Sequence, residues 1–324
     1  MDYVARRCRS FKVQFSGGEP LLHLPLVERV IDYLRSHPAG IAFQLQTNAT
    51  LVDRAIARRL RGLGLALGVS LDGPPAVNGT LRPLADGRGS TVAVMRGLER
   101  LAAERMKVGI TAVLTAQSIG SLPRLVDLCA YAGNVHGLSL DLVRPLGRAG
   151  TGEVAPPEPA ALEQGVRAAL ERAEELARLG APRVRFREVE RLVWLRARGR
   201  VKDRYCLAAR GESLAVTPDG SVYPCASLAG RDEFYLGNVG DPDFSPMEAL
   251  RHAVWFGRSA PAGEGCRACP VRSWCGGGCL ARAYAYHRRP DLPYEGECRM
   301  RRTFWQWVTA RGEGLLPGLP LRDG

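Results

Sequence analysis

The sequence predicts an α/β fold, with a domain of parallel βα units followed by a small, cysteine-rich α+β module. Two observations carry this. Between residues 11 and 145, short β-like runs alternate with amphipathic helical stretches, the pattern of a parallel sheet with crossover helices. Beyond residue 205 that rhythm gives way to turns and to seven of the nine cysteines.

The β-like runs cover residues 11–15, 42–46, 65–70, 108–114 and 138–143, and helices are expected over 24–36, 53–63, 91–105 and 121–132. In the third helix Val94, Leu98 and Leu101 recur at helical spacing and mark the buried side. The runs end in polar or glycine-rich residues: Ser16-Gly17-Gly18-Glu19, Thr47-Asn48, Ser70-Leu71-Asp72-Gly73 and Arg144-Pro145-Leu146-Gly147. Parallel βα units bring such ends to one rim, where ligands bind. A Gly/Pro-rich stretch at 150–159 and a long helix at 160–179 read as a boundary. The expected division is therefore 1–150, a bridging segment 151–200, a cysteine module 201–305 and a tail 306–324. Within the module, runs at 213–216 and 221–225 flank Thr217-Pro218-Asp219-Gly220, a hairpin turn that puts Cys225 on the returning strand; a short helix covers 246–257.

Composition narrows the function classes. A hydrophobic content of 46% over 324 residues is that of an ordinary globular protein. No apolar run approaches the roughly 18–20 residues of a membrane span, and no signal-peptide core follows Met1, so a cytoplasmic location is expected. There, dense cysteine spacing means metal or redox chemistry more often than disulfides. The net charge of +12 comes almost wholly from arginines scattered beside Glu and Asp, which reads as a solvated surface and not a nucleic-acid interface.

The cysteines carry the most specific signal. They run Cys206-x13-Gly220-x4-Cys225, then Cys266-x2-Cys269-x5-Cys275-x3-Cys279, then Cys298. One tetrahedral zinc uses at most four thiolates, so seven point to two centres, with iron-sulfur clusters the leading reading and structural zinc the plainer one. Gly276-Gly277-Gly278 would let the backbone wrap a cluster. Cys8 and Cys129 read as packing residues, His287 as an ordinary histidine, and Phe304, Trp305 and Trp307 as the packing face of a C-terminal helix.

Together, Gly17-Gly18-Glu19-Pro20, the polar strand ends and the cysteine series resemble the radical S-adenosylmethionine (radical SAM) enzymes with a C-terminal SPASM domain, a group that includes sulfatase and peptide maturases. The resemblance implies a partial (β/α)6 barrel lacking its first βα unit, then the SPASM module. It also implies that Gly17, Gly18, Glu19 and Pro20 bind the methionine amino group of SAM, that Ser70 and Asp72 contact its ribose or carboxylate, and that Thr47, Asn48 and Arg144 line the same rim. Cys206, Cys225 and Cys279 would hold one auxiliary [4Fe-4S] cluster, and Cys266, Cys269, Cys275 and Cys298 the other. The implied activity is modification of a peptide or protein through a 5′-deoxyadenosyl radical, with a small electron donor such as ferredoxin or flavodoxin. No catalytic residue can be named.

Three departures qualify it. Sulfatase maturases place a further cysteine shortly before the position of Cys206, absent here, so one iron of the first cluster would be open or filled by Asp203. They also place a carboxylate after the position of Cys225, where this chain has Ala226, so sulfatase activation is not expected. Finally, the family's C-x3-C-x2-C loop precedes the GGEP-type motif by tens of residues, yet Cys8 alone precedes Gly17. The expectation is an N-terminally shortened chain; the alternative is a non-catalytic iron-sulfur or electron-transfer protein derived from the fold.

Overall fold

The computed structural model describes residues 2–202, 204–253, 255–256 and 264–311. It divides into two compact units, Met1–Asp141 with Gln164–Glu188, and Leu142–Glu163 with Val189–Gly324. The candidate ligand Asp203 and the tail beyond residue 311 lie outside the described residues.

The first unit runs α1 (Asp2–Ala5), β1 (Ser10–Phe15), α2 (Leu24–Arg35), β2 (Gly40–Thr47), α3 (Arg54–Leu63), β3 (Ala66–Ser70), α4 (Pro75–Leu81), α5 (Thr91–Ala103), β4 (Val108–Leu114), α6 (Leu122–Ala132), β5 (Val135–Leu142), α7 (Pro159–Arg178) and β6 (Arg185–Phe186). The strands form one sheet in sequential order, β1 to β6, and the registers of β1–β2, β2–β3, β3–β4 and β5–β6 are all parallel. Helix boundaries follow local chemistry. Asp53 caps α3 by accepting the Ile56 N–H at 2.7 Å, and Gly64 ends it at φ +63°. Leu24, Val27, Ile31 and Leu34 form the buried stripe of α2.

Alternation along the strands sorts the sheet into two chemically distinct faces. In register, Val13, Phe43, Leu45, Leu67, Val69, Val108 and Ile110 share one face, and most of them are fully buried. The opposite face carries Lys12, Gln14, Gln44, Gln46, Gly68, Ser70, Gly109 and Thr111, which are small or polar. A parallel sheet covered on both faces by helices would be apolar on both, so the second face is built for something other than core.

Two expectations change here. The structure has a sixth strand, β6, and α7 from Gln164 onward belongs to the first unit instead of bridging to the second. The docking is steric: a Cβ at Gly165 would lie 2.7 Å from the Ile119 carbonyl oxygen, so glycine there lets the helix lie against that backbone. Cys8 is exposed and so is not a packing residue, whereas Cys129 is 1% exposed.

The second unit contains α8 (Arg187–Ala197), α9 (Leu207–Arg210), β7 (Ala215–Val216), β8 (Val222–Tyr223), α10 (Pro246–His252), α11 (Glu264–Arg267), α12 (Arg272–Cys275), α13 (Leu280–His287) and α14 (Glu295–Arg311). The β7–β8 pair is antiparallel and turns at Gly220, φ +85°. Its core gathers Val222, Leu228, Phe234, Leu250, Trp255, Leu280 and Tyr284, with the Phe234 ring 5.2 Å from Trp255 and 4.9 Å from Tyr284. Phe304 and Trp307 are buried in α14, and Trp305 meets Trp274 edge-on.

Candidate functional site

In the first unit, the ends of β1 and β2 are tied by one carboxylate. Glu19 accepts the Leu21 N–H at 3.1 Å, the Thr47 hydroxyl at 2.7 Å and the Asn48 N–H at 2.7 Å. Gly17 adopts φ +133°, and a Cβ on Gly17 or Gly18 would meet nothing within 4 Å, so both present open backbone. Thr47 is 2% exposed, and its hydroxyl also accepts from the Ala49 N–H, holding Ala49 at φ +58°. A non-glycine residue in that left-handed region costs of order 1–2 kcal/mol, and the strained backbone stands at the rim. Asn48 spends its side-chain oxygen on the N–H and hydroxyl of Thr50.

Asp72 does not face open space. Its carboxylate takes the Arg82 guanidinium at 2.6 and 3.2 Å and the Val113 N–H at 2.8 Å, while its own N–H donates to Asn78. Asp72 is 5% exposed, but Arg82 is 32% exposed at the side chain, so what this pair presents outward is a held cation. Sequence reading missed Arg82, whose only signal was a lone Arg following a polar strand end.

Ser70 accepts from the Gln46 amide at 3.0 Å, so its hydroxyl proton is left for another partner. Gln46 can lie there because residue 68 is glycine: a Cβ on Gly68 would fall 2.1 Å from Gln46 Oε1. Gly68→Ala is therefore expected to displace the amide, the movable end of the Gln46 side chain, and to cost at most about 1 kcal/mol in urea unfolding. Gly68→Ala with Gln46→Ala should regain most of that loss.

Glu188, just past β6, accepts from the Ser139 hydroxyl at 3.3 Å and the Leu140 N–H at 3.2 Å through Oε1, while Oε2 is buried with no hydrogen-bond partner among the described residues. Burial raises its pKa above the ordinary 4.5, with Arg187 and the two hydrogen bonds offsetting only part. The folded chain thus keeps a proton that the unfolded chain releases above pH 4.5, so stability falls as pH rises from there toward the folded pKa. Glu188→Gln should flatten that limb of the thermal midpoint against pH.

In the second unit, Cys206, Cys225 and Cys279 each occupy the N-cap of a short helical turn, α9, residues 226–228 and α13, respectively. Helix N-termini favour thiolates. Burial pushes the Cys206 thiol up, N–H groups of Ala209 and Leu280 pull it down, and Cys279 and Cys225 push it up again. Burial likewise raises Cys266, followed by Cys275 and Cys269, and raises Cys298 to about 12, with Cys275 and Cys266 among the contributors. Cys206 thus lies within electrostatic reach of Cys279 and Cys225, and Cys266 and Cys298 within reach of Cys275. Arg144 also belongs to this unit.

Among the described residues, no group of three or more His, Cys, Asp or Glu side chains is gathered tightly enough to hold one metal ion. The chain supplies room. Gly276, Gly277 and Gly278 adopt φ +68°, +94° and +87°, and a Cβ on Gly276 would lie 2.6 Å from the Tyr205 nitrogen. These residues, partly buried thiols with N–H donors on flexible glycine backbone, fit a cluster.

Residues 2–129 match the model of the Radical SAM superfamily, and residues 206–270 that of the SPASM iron-sulfur cluster-binding domain. An uncharacterized protein of Methanocaldococcus jannaschii is 31% identical over 262 residues, covering 80% of this chain and 82% of the relative. The serine-type anaerobic sulfatase-maturating enzyme of Klebsiella aerogenes is 26% identical over 304 residues, 87% of this chain and 70% of that enzyme. The solved structure of anSMEcpe with bound AdoMet and Kp18Cys peptide superposes with a TM-score of 0.76 at 23% identity, covering 93% of this chain and 84% of that one. No helix among the described residues is long and apolar enough to cross a membrane.

Proposed function

We propose, because the chain belongs to the radical SAM superfamily and carries a SPASM iron-sulfur cluster-binding domain, that it is an enzyme which modifies a peptide or protein. The observation that carries this is the pairing of an open Gly17-Gly18-Glu19 rim with seven thiols in two sets, the furniture of a SAM site and two auxiliary clusters. The sulfatase-maturating relative and the peptide-bound anSMEcpe structure support the substrate class. Ala226 puts no carboxylate after Cys225, so the substrate is something other than a sulfatase.

SAM and the clusters supply hydrogen-atom abstraction and electron transfer; the protein supplies binding and orientation. Glu19 fixes the ends of β1 and β2, Gly17 and Gly18 leave backbone accessible, Ser70 offers a hydroxyl proton, and Arg82, steadied by Asp72, offers a cation to a carboxylate. The three N-cap thiols of the first set leave one cluster position for a substrate group. A small ferredoxin- or flavodoxin-like protein would deliver electrons in the cytoplasm.

Within residues 1–324 Cys8 is the one cysteine before Gly17, so the residues ahead of the rim in this sequence do not supply three thiolates for a SAM-bound cluster. β1 lies at an edge of the sheet. Translating the DNA upstream and reconstituting the extended protein anaerobically tests the proposed function. A C-x3-C-x2-C loop, about twelve irons and 5′-deoxyadenosine formation are expected. About eight irons, no such loop and no 5′-deoxyadenosine would instead favour an electron-transfer protein.

A further inference from the structure

Three charged side chains of the second unit, two of them buried, border the first thiol set and adjoin Cys298 of the second in sequence. Glu297 and Arg282 are 1% and 2% exposed at their side chains, and Arg301 is 17% exposed. Glu297 Oε2 accepts from Arg282 Nη1 at 2.9 Å and from the backbone N–H of Cys279 at 3.0 Å, while Oε1 accepts from Arg301 Nε at 3.1 Å and Nη2 at 2.5 Å. The Arg301 guanidinium also lies 3.7 Å from the centre of the Tyr205 ring. The carboxylate thus grips one first-set cysteine directly, Arg301 stacks on the neighbour of Cys206, and Cys298 of the second set follows Glu297 in α14.

Stability alone is a weak account of such a group. Buried ion pairs return little more than their desolvation costs, and well-packed apolar residues of similar volume often do as well. Position and sign are more telling. Two cations and one anion leave this triad a net charge of +1, with Lys202 over the same Tyr205 ring at 5.2 Å, beside the first thiol set and next in sequence to Cys298 of the second. In a low-dielectric interior a fixed positive charge favours the reduced, more negative form of a neighbouring centre, and charge and hydrogen bonding around a cluster tune its potential.

We propose that Arg282, Glu297 and Arg301 are positioning residues that set the reduction potentials of both auxiliary clusters together, the net positive charge raising both. Each cluster takes one electron from an external reductant and gains one negative charge, which this group stabilises. The proposal rests on the two-cluster reading of the thiols.

Three variants separate charge from shape, because glutamine keeps hydrogen-bonding capacity. Glu297→Gln makes the group +2, Arg301→Gln makes it neutral, and the double variant restores +1. Dithionite titration of the reconstituted chain, followed by electron paramagnetic resonance, should show both midpoints moving up in the first, down in the second and back near wild type in the third. Shifts of one sign in both single variants, no shift, or a double variant further from wild type than either single one would overturn the proposal and leave a structural brace. Should Glu297→Gln fail to load iron, Arg301→Gln against the wild-type chain still tests the sign, a downward shift being expected and no shift or an upward one overturning the proposal. Zinc without iron in the wild-type chain would instead defeat the two-cluster reading itself, a result distinct from about eight irons loading with potentials indifferent to charge.

Discussion

Replacing Cys266 and Cys269 by alanine is expected to remove about half of the iron that the chain binds on anaerobic reconstitution, about four of about eight atoms, and to leave the first set loaded. The reason is in how the thiols group. The thiols that raise Cys206 are Cys279 and Cys225, whereas those that raise Cys266 and Cys298 come from Cys266, Cys269 and Cys275. A centre deprived of two of its four protein ligands does not assemble, while the other retains its three N-cap thiols. The reciprocal pair, Cys206→Ala with Cys225→Ala, should lose the first centre and keep the second. Iron and sulfide analysis with electron paramagnetic resonance reads both. Loss of all iron from either pair would mean one shared centre, and zinc without sulfide in the parent chain would mean structural ions.

Much of this was legible in the sequence because its signals are local. Strand alternation with polar ends foretold the parallel sheet, because that pattern is read within a few residues. What was not legible depends on partners distant in the chain. Strand β6 has two residues, too few for any period to show. The α7 helix follows a Gly/Pro-rich stretch that reads as a boundary, and its ties to the first unit, such as Gly165 against Ile119 and Arg172 to Asp127 at 2.7 Å, join residues distant in the chain. Arg82 looked like one of many surface arginines until Asp72 was found facing it, and Asp72 looked like a ligand contact for the same reason. Arg282, Glu297 and Arg301 lie at helical spacings where charges usually meet water, so their burial was invisible.

Glu19→Gln should cost both stability and SAM affinity, and how it does so separates two roles for this residue. Its two oxygens accept from three donors, Leu21 N–H, Thr47 hydroxyl and Asn48 N–H. Glutamine turns one acceptor into a donor, so at least one buried N–H or hydroxyl is left facing another donor, a loss of about 1.5–3 kcal/mol for hydrogen bonds to a charged group. The group left opposed is the Asn48 N–H if the amide nitrogen replaces Oε2, or the Leu21 N–H and the Thr47 hydroxyl if it replaces Oε1; either way the tie between the ends of β1 and β2 weakens beside Gly17 and Gly18. A fall in SAM affinity of tenfold or more is expected by calorimetry on the reconstituted, upstream-extended protein. Thr47→Val decides the mechanism. If Glu19 acts by holding the ends of β1 and β2 together, removing the hydroxyl that it accepts should weaken SAM binding several-fold as well. If Glu19 acts by touching the ligand alone, Thr47→Val should bind SAM as the parent does, and unchanged affinity in Glu19→Gln itself would remove the rim from the proposed SAM site.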